Sequence, residues 1–358
     1  MALFKKTYQD NLRALKKEQA MAKVSDVEST TLQQNIDPFE AYITDLSNEE
    51  LEPIEQSFLY KKNFAKVKHS YTLDMPVEAK YLRRNVNVFE STETILPTIL
   101  SDCKSVDTDF LTGYYLTKFY LNMPQVLTSF HAGISKDSMI QGIYNATLKL
   151  RPKAKWQMLG CDANKTQKYQ AIIKNGIRSP CDIYNTNTAS SIDIQLSEVL
   201  IPQSIDLYTC DIKSNSAADV LKQLLLIREY LTSTARIVLR LPTNWHTYYA
   251  AMQTILLFCI SHFKTVLVFK TPWGIIPKYY LILRDFKQPI NLQRATTLQT
   301  YLNALAENQN VPLISKTYFD VNDQDMLMQN INQAYINMMN FDIKYTSDEA
   351  LQVWTNIL

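Results

Sequence analysis

Ile205-Asp206-Leu207-Tyr208-Thr209-Cys210-Asp211 opens the stretch, Ile205 to Phe286, whose reading decides the fold. A helical pattern follows, then Ala235-Arg236-Ile237-Val238-Leu239-Arg240-Leu241-Pro242. After a second helical pattern come Phe263-Lys264-Thr265-Val266-Leu267-Val268-Phe269-Lys270 and, past a Pro/Gly turn, Lys278-Tyr279-Tyr280-Leu281-Ile282-Leu283-Arg284-Asp285-Phe286. Short apolar runs of this kind, rich in β-branched and aromatic residues, read as strands buried on both faces of a mainly parallel sheet. The connection before Lys278 is too short for a parallel crossover, so the last strand should pair antiparallel. Polar residues stand where the strands end, at Asp211, Arg240 and Lys270. The carboxyl edge of an open α/β sheet is where ligands bind.

Outward from this stretch, the strand–helix pattern repeats. Asp107 to Asn122 is helical in pattern, and Val126 to Phe130 is a short strand followed by a loop from His131 to Asp137. A helix through Leu150 leads to a strand from Trp156 to Cys161 ending at Asp162, a helix from Lys165 to Asn175, and a strand end at Asp182. Alternation of this kind predicts a doubly wound sheet with right-handed crossovers. The reading divides the chain into a helical N-terminal extension (residues 1–100), an α/β domain (101–290) and a helical C-terminal extension (291–358). The N-terminal extension runs in charge blocks, basic to Lys23, acidic from Ser25 to Gln56 and basic again from Lys61 to Arg84. Such blocks suit a solvated layer or a partner-docking arm.

Composition narrows the function classes. Hydrophobic residues make up 46% and charged residues 20%, a globular balance. The formal net charge of +2 gives no global case for nucleic acid, so any such surface is local. The best local candidate for phosphate contact is the basic segment Arg151 to Arg178, with Lys153, Lys155, Lys165, Lys168 and Lys174 against Asp162. The five cysteines show no paired spacing and there are four histidines, so no metal site is expected. A reducing, intracellular setting without secretion fits this cysteine usage, and no signal peptide opens the chain. The longest apolar run, Ala250 to Phe263, is too short to span a bilayer and reads as a core helix, so no membrane partner is expected. Only 6 glycines occur, where average usage would give about 25. That shortage weighs against a glycine-rich phosphate cradle.

The ordered series of residues resembles the FtsJ-type RNA ribose 2′-O-methyltransferases, including viral mRNA-cap methyltransferases, from about Phe110 to Phe286. Gly160-Cys161-Asp162 matches the acid that ends the second strand, and Pro180-Cys181-Asp182-Ile183 is similar to the segment that touches the adenine. Thr209-Cys210-Asp211 falls on the catalytic aspartate, and Val238-Leu239-Arg240-Leu241 on the strand of a catalytic lysine. Lys270-Thr271-Pro272 and Tyr280-Leu281-Ile282 resemble the final hairpin, and the helix around Lys118 looks like the one bearing the first catalytic lysine.

The resemblance implies a Rossmann-like methyltransferase sheet, mostly parallel with its last strand antiparallel, between helical extensions. It implies S-adenosylmethionine as donor, held by Gly133, Asp162 and Asp182. Lys118, Asp211, Arg240 and Lys278 would stand at the positions of the Lys-Asp-Lys-Glu catalytic set. The departures point to lost activity. An arginine cannot be deprotonated in a protein, so Arg240 cannot act as base. Lys278 replaces an acid, which would add repulsion, and the glycine-rich loop is reduced to Gly133.

Two functions remain in view. One is a catalytically silent methyltransferase-fold protein, an RNA-binding, scaffold or stimulatory subunit in a viral capping, replication or RNA-modifying complex, cytoplasmic or virion-associated. The small subunit of the poxvirus mRNA-capping enzyme is similar in kind. The other is an active 2′-O-methyltransferase with a rearranged base, Lys118 or Lys213. A generic nucleotide-binding domain is a third. Trp245 and Trp273 could stack on a base or cap, although core packing is the default for both.

Overall fold

A computed structural model describes residues 37, 42–46, 107–132, 138–162, 181–185, 200–210, 217–242, 249–273, 278–287, 290 and 292–307. The helices expected before Lys23, over Lys165–Asn175 and beyond residue 307 lie outside the described residues.

The strands are β1 (Ile43–Asp45), β2 (Val126–Ala132), β3 (Lys155–Asp162), β4 (Cys181–Asn185), β5 (Ile205–Cys210), β6 (Leu231–Arg240), β7 (Phe263–Lys270) and β8 (Tyr279–Phe286). The helices are α1 (Thr108–Leu116), α2 (Ser138–Leu150), α3 (Ala217–Ile227), α4 (Tyr249–His262) and α5 (Leu292–Glu307). A single eight-stranded sheet runs in the order β1-β7-β8-β6-β5-β2-β3-β4. From β4 through β6 every neighbouring pair is parallel. β8 is antiparallel to both β6 and β7. The α4 crossover leaves a gap one strand wide, and the short connection after β7 turns β8 back into it. This is a Rossmann-like α/β sheet, mostly parallel with its last strand antiparallel.

The two faces carry separate cores. α1 and α2 cover one, packing Phe110, Tyr115, Ile143 and Met139 on Leu127, Leu207, Val238 and Ile282. α3, α4 and α5 cover the other, with Leu224, Ile255, Phe258 and Leu302 on Phe130, Tyr208, Ile237 and Leu281. Strands buried on both faces explain the continuous apolar runs, because alternation disappears when neither side meets water.

Four sequence expectations shift. β2 runs two residues past Phe130, so His131 is a strand residue rather than a loop residue. β4 starts at Cys181, which places Asp182 near its beginning rather than at its end. Within the N-terminal segment expected to be helical, Ile43–Asp45 pairs antiparallel with β7 as an edge strand. α5 contributes Leu298 and Leu302 to the core, so it belongs to the α/β unit and not to an appended extension.

Two of the scarce glycines account for how α1 meets α2. A Cβ on Gly113 would lie well inside van der Waals contact of the Met139 carbonyl oxygen, and one on Gly142 would meet that of Phe110. The two helices therefore touch backbone to backbone. Alanine on a helix normally gains about 1 kcal/mol over glycine. Here we expect the opposite sign: Gly113→Ala or Gly142→Ala should cost about 1–3 kcal/mol through overpacking, read as a lowered urea midpoint. Variants as stable as the parent would mean that the helices are not in this close contact.

Candidate functional site

The parallel register lines up the strand ends. Cys161, Ala132, Cys210 and Leu239 are Cα partners in one row across β3, β2, β5 and β6. Asp162 and Arg240 are the next residues on β3 and β6, one step beyond that row. Three inter-strand gaps separate them, about 14 Å at the usual strand spacing. The order of the strands reverses between β2 and β5, which makes their ends the switch point where α/β sheets bind ligands. Gly133 and Asp211 follow Ala132 and Cys210 in sequence and lie outside the described residues, as do Lys213 and Trp245.

Asp182 does not join this rim. Its Cα pairs with Leu159, while Asp162 pairs with Asn185. Asp182 therefore sits three residues, about 10 Å, short of the edge, and Asn185 occupies the end of β4. The reason is register: β4 starts later than its apolar run suggests.

On the other flank of the rim stand Arg240, Lys270 and Lys278. Arg240 pairs with Tyr280 and Lys270 with Tyr279. The Leu241 amide donates to the Tyr279 carbonyl at 2.8 Å, and the Lys278 amide to Thr271 Oγ1 at 2.9 Å. The Lys278 ammonium forms an ion pair with Asp109, a buried carboxylate in the first turn of α1. The expected repulsion from Lys278 is thus corrected: Asp109 neutralises it. Sequence reasoning passed over Asp109, although Asp107 and Asp109 together carry the signature of a helix start. Asp107 caps α1 by accepting from the Asp109 and Phe110 amides at 3.0 and 2.9 Å. Its other oxygen accepts from Ser138 Oγ at 2.8 Å, which ties down the start of α2.

Lys118 lies elsewhere. It belongs to a π-helical turn, Thr117–Leu121, that follows α1. Nine residues of helix separate it from Asp109, roughly 13 Å of rise. That carries it toward the amino edge of the sheet, into the field of Lys149 in the last turn of α2. Burial, and then Lys149, hold its amine below the ordinary lysine range. The structure therefore does not bring Lys118 to the rim that holds Arg240 and Lys278. The spacing gave the warning, because only seven residues separate Lys118 from Val126 at the start of β2.

Trp273 is 2% exposed, and its indole donates to Thr112 Oγ1 at 3.0 Å, so it is a core residue. His131 is fully buried between Ser129 Oγ at 2.8 Å and Thr209 Oγ1 at 2.7 Å, with the Trp156 indole donating to Ser129 Oγ at 2.7 Å. This chain satisfies every member and leaves His131 no access to a ligand.

No family model matches this chain, and no curated protein does. Solved structures to which it is similar include a Listeria monocytogenes protein assigned to the class I S-adenosylmethionine-dependent methyltransferases. That likeness has 12% identity, covers 70% of this chain and 88% of that one, and has a TM-score of 0.37. Others are MNMC2 from Aquifex aeolicus (12% identity, 63% and 73% covered, TM-score 0.35) and spermidine synthase from Thermotoga maritima (10%, 61% and 74%, 0.34). At such scores the likeness carries nothing about activity. No helix among the described residues is long and apolar enough to cross a membrane, and none of their side chains cluster as metal ligands.

Burial pushes the His131 imidazole down from 6.5 to about 3. The unfolded chain takes up this proton near pH 6.5, and the folded chain does so only near 3. Stability is therefore complete above 6.5 and falls as the pH drops toward 3. Its slope should be roughly 1 kcal/mol per pH unit. Urea midpoints measured from pH 6.5 to about 5, above most carboxylate titrations, should show this slope. In His131→Gln the slope should flatten; an unchanged slope would assign it to other groups.

Proposed function

We propose that this chain is a methyltransferase-fold protein that keeps the donor side of its rim and has lost the base of ribose 2′-O-methyl transfer. It serves as an RNA-binding, stimulatory subunit in an RNA-capping or RNA-modifying assembly. The observation that carries this reading is the character of the cations at the acceptor flank. Arg240 stands where a deprotonable lysine is needed, and a guanidinium stays charged. Lys278 is tied up in an ion pair with Asp109. Lys118, the remaining lysine of the expected set, lies toward the other edge.

The donor side fits S-adenosylmethionine better. Asp162 ends β3, where a carboxylate can accept from ribose hydroxyls. Ala132 and Cys210 give small side chains at the ends of β2 and β5, which lets a ligand approach the switch point closely. When bound, the donor supplies a sulfonium methyl group.

An active enzyme is the competing reading, and one observation favours it: the Lys118 amine is biased toward its neutral form, as a general base requires. Two measurements separate the readings. Calorimetry should detect S-adenosylmethionine binding that weakens about tenfold or more in Asp162→Ala, the loss of a charged hydrogen-bond partner. Transfer of labelled methyl groups to capped RNA by the isolated chain should stay at the blank level, with Lys118→Met indistinguishable from the parent. Turnover that disappears in Lys118→Met would overturn the silent reading, and the absence of any donor binding would remove the donor side from it.

A further inference from the structure

We infer that the outer side of β7 is a strand-accepting site, closed here by a strap from the same chain and open to the same strap from a second copy. The site stands on a different edge from the donor rim and does not depend on the function proposed above. The strap consists of Asp37 and residues 42–46, which include β1. In it, Ile43, Thr44 and Asp45 lie antiparallel to β7, opposite Phe269, Val268 and Leu267. The Leu46 amide extends this ladder by donating to the Val266 carbonyl at 2.8 Å.

Three contacts key the strap to its place. Asp37 accepts from the Tyr115 hydroxyl at 2.9 Å and from the Tyr120 hydroxyl, which ties its carboxylate to α1 and the turn after it. Tyr42 is 2% exposed and joins the core beneath α1 and α2, the one that holds Tyr115 and Phe269. Leu46, also 2% exposed, joins the core of the opposite face, with Val266 and Val268. The strap therefore passes around the sheet edge and puts one large side chain into each face. In strand addition the ladder supplies affinity, and pockets for particular side chains supply specificity. The pattern read here is a carboxylate, a buried ring five positions on, and a leucine four positions beyond that.

The strap is separable from the fold it closes. On its other side β7 pairs with β8 along its whole length, from Phe263 opposite Phe286 to Lys270 opposite Tyr279. That ladder stays intact when the strap leaves, and so does the backbone contact between α1 and α2. What departure uncovers is Val266-Leu267-Val268-Phe269, an apolar edge of the kind that native proteins cover. A second copy carries the segment that this structure shows to fit, and its strap restores the same ladder, the same hydroxyl contacts and the same two buried side chains. Exchange of identical elements is for this reason a low-cost route to dimers. Residues 47–106 separate the strap from Asp107. Their contour, up to about 200 Å, is far longer than the step to a neighbouring edge.

The test follows the full chain by sedimentation velocity at rising concentration, and titrates it with a fluorescein-labelled peptide of residues 36–47 read by anisotropy. The resident strap lowers the peptide's affinity for the parent in proportion to the closed population. The Asp37→Ala chain should bind the peptide about tenfold or more tightly, since that change loosens the strap and leaves both cores alone, as circular dichroism checks. A peptide carrying Tyr42→Ala and Leu46→Ala should not bind. After equilibration the parent should pass from monomer to dimer as its concentration rises, and excess peptide should return it to monomer. Absence of peptide binding to both chains would overturn the inference. Peptide binding by a chain that stays monomeric throughout would give the edge to a different protein and overturn the exchange between copies. A dimer that excess peptide leaves intact is held elsewhere, and would overturn it too.

Discussion

β8 clasps α1 at both ends. Lys278, just before the strand, holds Asp109 in the first turn of the helix, and Arg284, near the strand's other end, holds the Tyr120 carbonyl after its last. Between these two anchors, Tyr280 and Ile282 join the core under the helix. The clasp needs β8 to run antiparallel in the slot between β6 and β7. A strand of the other sense would exchange the two ends and put each cation at the wrong terminus of α1. The placement also follows helix electrostatics, since a carboxylate favours a helix N-terminus and a cation its C-terminus.

Both edges of the sheet take their character from this arrangement. At the carboxyl edge, Lys278 is paired with Asp109, and Arg240 and Lys270 end the neighbouring strands. At the amino edge, Arg236 and Arg284 donate to the carbonyls of the turn after α1. The same helix therefore spans from the carboxyl edge of the sheet to its amino edge. Backbone contact at Gly113 and Gly142 fixes α2 alongside, which brings Lys149 to the amino edge and Ser138 to the rim.

Much of the fold was legible because both sheet faces are covered. Buried strands such as Ile205–Cys210 and Phe263–Lys270 write their apolar runs plainly into the sequence. The short turn before Lys278 implied the sense of β8. Less legible was anything set by register. Asp182 reads as a strand-end acid until pairing with Leu159 places it at the start of β4. Lys118 matches a helix-borne catalytic lysine by order along the chain, but helical rise carries it away from Arg240. Asp109 was overlooked because its partner is distant in sequence, and no local pattern announces a contact of that span. The glycine shortage was noticed as evidence against a phosphate cradle, whereas its visible consequence is where the remaining glycines are spent: two lie at one helix crossing. Asp211 and Gly133, the expected partners at the switch point, lie outside the described residues.

The slot occupied by β8 is the claim on which the rest depends, and amide hydrogen exchange along Tyr280–Leu283 tests it most directly. An interior strand gives its amides alternately to two neighbours, so every one of these positions should exchange slowly, with protection near that of global unfolding. Fast exchange at every second residue would mark β8 as an edge strand with one side open. The clasp on α1 would then be contradicted.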